Sequence, residues 1–214
     1  MIQNKPTIIA IAGASASGKT LFAQTIYKEL LPELGREGIS ILKEDSYYKA
    51  QDHLKMEERE LTNYDHPNAF EHSLMSEHLH QLVENQDIEC PIYCYKTHTR
   101  TKETIAVTPT PIILVEGILL LSNPELRDRF HIKVYMDTPL DICLIRRIKR
   151  DTVERERSIE SITNQYLETV RPMYNQFIEP SKLWADIVIT RGGKNRMAIE
   201  VIKAKIRQLI SQNN

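Results

Sequence analysis

Lys19 and Thr20 close the octapeptide Gly13-Ala14-Ser15-Ala16-Ser17-Gly18-Lys19-Thr20, which meets the pattern G-x-x-x-x-G-K-[ST] at every fixed position. Glycines in such a loop let the backbone turn tightly, so that successive N–H groups converge on phosphate oxygens at the start of a helix whose dipole favours anions. In that pattern the lysine reaches the β- and γ-phosphates of a nucleoside triphosphate, and the Thr20 hydroxyl ligates Mg2+. A magnesium-bound nucleotide also calls for a carboxylate at the end of a neighbouring buried strand. Ile112-Ile113-Leu114-Val115-Glu116 supplies one, with Gly117 letting the chain turn away. A second carboxylate, Asp45, follows Ile39-Ser40-Ile41-Leu42-Lys43 and so stands at a strand's C-terminal edge, the side where ligands bind in open α/β sheets. There it can accept a proton from an attacking hydroxyl and hold a magnesium-bound water. The plainer alternative is that Asp45 and Ser46 only cap a turn. The chain carries neither an N-K-x-D element for guanine nor an L-S-G-G-Q signature, which argues against a GTPase switch and a transporter ATPase.

These groups need a frame. Thr7 to Ala12 is a β-branched, apolar run ending at glycine and predicts a fully buried strand of a parallel sheet. Leu21, Phe22, Thr25, Ile26, Tyr27 and Leu30 recur at helical spacing from Thr20 to Leu34, where Gly35 and Gly38 stop the helix. Asn68, three residues before Glu71, resembles a capping box for a helix whose face is Leu74, Met75, His78, Leu79, Leu82 and Val83. Pro91–Tyr95 and Glu103–Thr108 predict a hairpin, inserted at about 90–108. Further strands are expected at Ile112–Glu116, His131–Met136 and Asp186–Thr190, and helices at Leu140–Arg157, Ile159–Phe177 and Asn195–Ile210. Alternating strands and helices mean an α/β fold with a five-stranded parallel sheet, right-handed crossovers and a single domain over 1–214.

Composition narrows the classes. With 214 residues the chain is long enough to bury about 70% of its unfolded surface around its own core. The 28 Lys+Arg against 29 Asp+Glu leave a net charge of −1, so no whole-protein field exists for gripping nucleic acid or an anionic membrane. The richest apolar run, Pro111 to Leu121, is broken by Glu116 and Gly117 and is too short to span a bilayer. Lys5, the apolar run after it and Ala14-Ser15-Ala16 imitate a short signal peptide, but a buried strand is the better use of that run. Three cysteines, Cys90, Cys94 and Cys143, cannot all pair, and a reducing cytoplasm is the simplest home. Cys90, Cys94 and His98 hint at zinc by spacing. A fourth ligand is lacking, and strand alternation pointing both cysteines to one face makes a packed hairpin the expectation.

The chain resembles the uridine–cytidine kinase family of P-loop nucleoside kinases. The likeness runs in order through Asp45-Ser46-Tyr47-Tyr48, Tyr64-Asp65-His66-Pro67-Asn68-Ala69-Phe70, Pro91-Ile92-Tyr93, Thr97-His98-Thr99-Arg100 and Glu116-Gly117-Ile118-Leu119. It continues through Arg146-Arg147-Ile148-Lys149-Arg150-Asp151, Glu154-Arg155-Glu156-Arg157, Asn164-Gln165-Tyr166 and Arg191-Gly192-Gly193. The D-H-P-x-A-F and R-R-x-x-R-D segments discriminate better than the phosphate loop alone. The resemblance implies an ATP- or GTP-dependent, Mg2+-requiring transfer to the 5′-hydroxyl of uridine and cytidine in pyrimidine salvage. Asp45 then corresponds to the catalytic carboxylate, Tyr48 to an aromatic wall beside it, and Asp65 with Arg147 to the pair holding the ribose hydroxyls. Tyr93 and His98 correspond to readers of the pyrimidine edge, Arg157 and Gln165 to further nucleoside contacts, and Arg150 and Arg155 to a lid at about 146–166 that closes over the phosphates. Glu116 falls where the family places a magnesium-shell carboxylate. A homotetramer, feedback by CTP and a cytoplasmic location are implied in the same way.

The residues support part of this on their own terms. A vicinal diol offers donors to a carboxylate and lone pairs to a guanidinium, as Asp65 and Arg147 would require. Arg147, Arg150 and Arg157, at offsets of three and seven, predict one helix face of guanidiniums for triphosphate oxygens. A solvated basic face paired with Asp151, Glu154 and Glu156 fits the same spacing. His98 taken alone is a surface turn residue. The chain departs from the pattern where Tyr47 stands for Phe, where Cys94-Tyr95 replaces an Asp-Phe of the animal enzymes, and where Lys194 replaces an Asp near the nucleotide base. Those departures leave base preference and packing around the pyrimidine open. The rivals are another P-loop kinase, such as a phosphoribulokinase or pantothenate kinase, and a nucleotide-binding regulator without turnover.

Overall fold

Seven consecutive buried residues form the first strand, β1 (Thr7–Gly13), because its apolar side chains have helices to meet on both faces. In the computed structural model, which describes residues 5–213, β1 leads through the phosphate-loop candidate into α1 (Lys19–Leu34) and then β2 (Ile39–Lys43). A 3-10 turn at Glu44–Tyr47 and the short α2 (Met56–Glu60) precede α3 (His72–Val83). The antiparallel pair β3 (Ile88–Cys94) and β4 (Thr99–Val107) follows, then β5 (Ile112–Gly117), α4 (Pro124–Arg127), β6 (Ile132–Asp137) and α5 (Leu140–Glu154). A helical stretch consists of α6 (Ile159–Gln165), α7 (Arg171–Met173) and α8 (Glu179–Ser181), joined by π turns at Tyr166–Val170 and Tyr174–Ile178. The chain then forms β7 (Ile187–Thr190) and α9 (Arg196–Asn213).

Five strands pair in parallel in the order β2-β5-β1-β6-β7, with β1 and β5 inside the sheet. Alternation splits their side chains between two layers. Ile8, Ala10, Ile113 and Val115 pack with Met75, Leu79 and Leu82 of α3, whereas Ile9, Ile11, Ile112 and Leu114 pack with Phe22, Ile26 and Leu30 of α1 and Ile199, Ile202 and Ile206 of α9. Each of the larger side chains among them, fully buried, contributes on the order of 1.5–3 kcal/mol. This sandwich brings the C-terminal ends of β1, β2 and β5, and with them Gly13, Asp45 and Glu116, to one edge of the sheet.

Several boundaries differ from the sequence expectation, each for a visible reason. The capping box at Asn68 does not form. Asn68 lies in a 3-10 turn, Pro67–Ala69, and Glu71 caps α3 without a side-chain bond because its carboxylate pairs with Arg100 of the hairpin at 2.6 Å. The hairpin is longer than its apolar alternation suggested, since β4 begins at Thr99 under a run of charged residues, and the register shifts between Pro91 and Tyr93. Helix α5 stops at Glu154, ahead of the expected Arg157, because Glu156 adopts a left-handed conformation with φ of 54°. The helical stretch after Ile159 widens into π turns just ahead of Pro172 and Pro180, whose rings and missing N–H groups do not fit regular α winding.

Candidate active site

The loop Gly13–Thr20 bridges the end of β1 and the start of α1, so its amides stand at a helix N-terminus. Gly18, with φ of 101°, is also where a second turn crowds in: a Cβ there would lie 2.5 Å from the Gly193 nitrogen, and one on Gly193 would lie 2.3 Å from the Gly18 carbonyl oxygen. The Gly192-Gly193 turn therefore packs backbone against backbone on the phosphate loop, a contact that side chains at either glycine would prevent. Thr138 donates to the Ser17 carbonyl at 2.8 Å and Arg146 to the same oxygen at 3.3 Å, which holds the loop from the β6–α5 side.

Thr20 and Glu116 meet, the hydroxyl donating to the carboxylate at 3.0 Å. Burial pushes the Glu116 carboxyl up, with Lys19 pulling against it. Glu116 forms no ion pair with the described residues. A buried carboxylate beside a hydroxyl is a pair of hard oxygen donors, and it fits Mg2+ by the chemistry of those donors. Behind it Glu44, fully buried, takes a 2.9 Å bond with His72 Nε2 and accepts from the Leu119 N–H at 2.9 Å. Its carboxylate lies against Gly117, where a Cβ would stand 2.2 Å from Glu44 Oε2.

Asp45 sits in the 3-10 turn that ends β2, and its Oδ2 accepts from the Tyr95 hydroxyl. Tyr48 stacks on Phe70 with centroids 4.1 Å apart, and Tyr93 (4.8 Å) and Tyr64 (5.4 Å) approach its ring from other sides. His98 packs on Tyr64 at 5.4 Å, and burial pushes its imidazole below the ordinary value. The expected wall residue and both expected pyrimidine readers thus fall within one aromatic cluster. That cluster is continuous with the Asp45 turn.

Asp65 and Arg147 line one cavity with Ala14, Ser15, Tyr166 and Tyr174, which places a buried carboxylate and a buried guanidinium beside the phosphate loop. Burial raises the Asp65 carboxyl while Arg147 opposes the rise. Gln165 accepts from Arg147 at 2.9 Å and from Arg157 at 2.7 Å, so three of the expected nucleoside contacts already touch. The arginines are gathered by a residue that the spacing offered only as a surface partner. Asp151, with no exposed area, is 2.8 Å from Arg150, 3.6 Å from Arg147 and Arg155, and 4.0 Å from Arg157. Burial works to raise its carboxyl, but the Arg150 bond and the charges of Arg150, Arg155 and Arg147 prevail and hold it below the usual aspartate value. Arg157 reaches this group through the turn after α5, its N–H donating to the Asp151 carbonyl at 3.1 Å, rather than along a helix face.

Cys90 is buried and Cys94 partly exposed in the hairpin, and among the described residues no group of three or more His, Cys, Asp or Glu is arranged to hold a metal. Among those residues, too, no helix is long and apolar enough to cross a membrane. Tyr95, Glu44 with His72, and Gly193 complete the site but carried no assigned role in the sequence reading. The signals among them were the departure of Tyr95 from the animal pattern and the place of Gly193 in the Arg191-Gly192-Gly193 segment.

Comparison with known proteins agrees with this frame. Residues 8–198 match the family described as phosphoribulokinase / uridine kinase. A uridine kinase of Vibrio cholerae is 57% identical over 207 residues, covering 97% of each chain. One from Salmonella paratyphi B is 58% identical over 201 residues and 94% of each. Among solved structures, a D-glycerate 3-kinase from Cryptococcus neoformans superposes with a TM-score of 0.64 at 16% identity, over 87% of this chain and 86% of its own, which shows a shared fold.

Proposed function

The chain belongs to the phosphoribulokinase / uridine kinase family and is a kinase, and on that premise we propose that it transfers the γ-phosphoryl group of ATP to the 5′-hydroxyl of uridine and cytidine, in pyrimidine salvage. The observation that carries the acceptor assignment is the aromatic cluster of Tyr48, Tyr64 and Tyr93 running up to Asp45, with the buried carboxylate of Asp65 and guanidinium of Arg147 beside the phosphate loop. A flat base suits the rings, and a ribose diol suits the carboxylate and guanidinium.

Catalysis in this reading is positioning and charge neutralisation. The loop amides and Lys19 hold the β- and γ-phosphates, and Thr20 and Glu116 would hold Mg2+, which neutralises charge on the phosphate oxygens when bound. Asp45 orients the acceptor hydroxyl and takes its proton as the oxygen attacks. Arg150 and Arg155 exchange some of their contact with Asp151 for the equatorial oxygens of the transferring group. Their movement over the site excludes water, which would otherwise compete as acceptor.

Asp45→Asn should lower turnover by roughly the 10²–10⁴-fold that a general base supplies, while ATP binding measured by calorimetry is unchanged. The test is coupled ADP release with MgATP against uridine, cytidine, thymidine, adenosine, ribulose 5-phosphate and pantothenate. Turnover with uridine and cytidine alone is expected. Turnover confined to a non-nucleoside would overturn the acceptor assignments, and ATP binding without turnover on any acceptor would favour a regulator.

A further inference from the structure

Among the described residues, Tyr95 is the one side chain that hydrogen-bonds to Asp45 Oδ2, and it does so with a hydroxyl, the same functional group that an acceptor must present there. The residue lies just past Cys94, the last paired residue of β3, in the turn before Thr99, so no ladder bond fixes its backbone. The residue as a whole is 46% exposed. Two side contacts hold it over the carboxylate. Tyr93 meets it edge-on with centroids 5.2 Å apart, and the Arg155 guanidinium carbon sits 4.9 Å above its ring. Burial and the neighbouring Asp45 carboxylate raise the phenol further above neutral pH, so it is a hydrogen-bond donor and not a competing base.

We propose that Tyr95 is an acceptor-site plug: while no nucleoside is bound its phenol occupies Asp45, and the arriving acceptor hydroxyl displaces it. This rests on the reading that Asp45 accepts the acceptor's proton. The function of the plug follows from the chemistry of an idle kinase. With ATP bound and Asp45 free, a water oxygen can attack the γ-phosphorus; a new P–O bond forms, the bond to the β-phosphate oxygen breaks, the water proton passes to Asp45, and ADP and phosphate leave. A phenol already donating to Asp45 denies water that site. Its own oxygen is held on a ring that Tyr93 and Arg155 keep in place. When Arg155 moves to the phosphates its cation–π hold on the ring is lost, so closure and release of the plug are one event.

Tyr95→Phe keeps the ring, its Tyr93 contact and its cation–π contact, and deletes only the hydroxyl. ADP release without any acceptor should rise roughly tenfold, the scale of one hydrogen bond to a charged group, and the KM for uridine should fall with kcat unchanged. The extra hydrolysis should vanish in the double variant Tyr95→Phe, Asp45→Asn. Unchanged or slower acceptor-free hydrolysis in Tyr95→Phe overturns the plug, and a fall in kcat with hydrolysis unchanged assigns Tyr95 instead to orienting Asp45 during transfer. Asp45→Asn alone separates the two layers of the argument. If that variant phosphorylates uridine normally the base reading fails, whereas if it is inactive and Tyr95→Phe hydrolyses no faster, only the plug fails.

Discussion

Gly117→Ala adds one methyl group at the point where β5 ends, and the structure leaves no space for it. The new Cβ would lie 2.2 Å from Glu44 Oε2, 2.4 Å from Glu44 Cβ and 2.7 Å from Glu44 Cδ. Because one of those atoms is Glu44's own Cβ, a rotamer change cannot relieve the clash, and the backbone of the 44–47 turn must shift. Overpacking of this kind costs about 1–3 kcal/mol. The shift also breaks the Glu44 bonds to His72 and to the Leu119 N–H, both buried, for about 1–3 kcal/mol more. A total near 4 kcal/mol is a large part of the 5–15 kcal/mol typical of a domain and lowers the melting temperature by roughly 10 °C at this chain length. Thermal unfolding followed by circular dichroism reads it directly. Glu116 precedes the mutated residue and Asp45 follows Glu44, so turnover should fall with stability. A melting point within about 2 °C of the parent chain, with activity intact, would refute the claim that Gly117 is glycine to admit Glu44.

Two further outcomes can be checked. Asp65 is held protonated more readily in the folded chain, its carboxyl raised above 3.8 by burial, so its contribution to stability is full below that value and lost as pH rises through the folded one. Asp65→Asn does not titrate, and its stability relative to the parent in urea unfolding should improve between about pH 4 and pH 7; a pH-independent difference would contradict the shift. Gly193→Ala drives a Cβ to 2.3 Å from the Gly18 carbonyl and must lift one turn from the other, so ATP affinity measured by calorimetry should weaken roughly tenfold or more, and unaltered affinity would disconnect that turn from the phosphate loop.

The sheet was legible because its signals are local. Runs such as Ile8–Ala12 and Ile112–Val115 are apolar at every position, which a strand covered on both faces explains. The loop at Gly13–Thr20 and the strand-end carboxylates Asp45 and Glu116 followed from those runs. What escaped was set by contacts between distant segments. Glu71 leaves its expected cap for Arg100, 29 residues away, and β4 is masked by that paired arginine and by Lys102 and Glu103, which are exposed. Asp151 reads as one more surface acid until the turn at Glu156 folds Arg155 and Arg157 back over it. Glu44 and His72 are 28 residues apart, and no spacing rule joins them.

The hairpin carrying Tyr93, Tyr95 and His98 forms a two-stranded sheet of its own, separate from the five strands that set the phosphate loop and Glu116. On the function proposed above, the donor site is thus built on the sheet, and part of the acceptor's recognition falls on the ribbon. If Tyr93 and His98 read the acceptor as proposed, substitutions on the ribbon should change acceptor preference without disturbing the register of β1 against β5. On that reading the ribbon is the part of the molecule where a new acceptor would be learned, with the five-stranded frame left as it is.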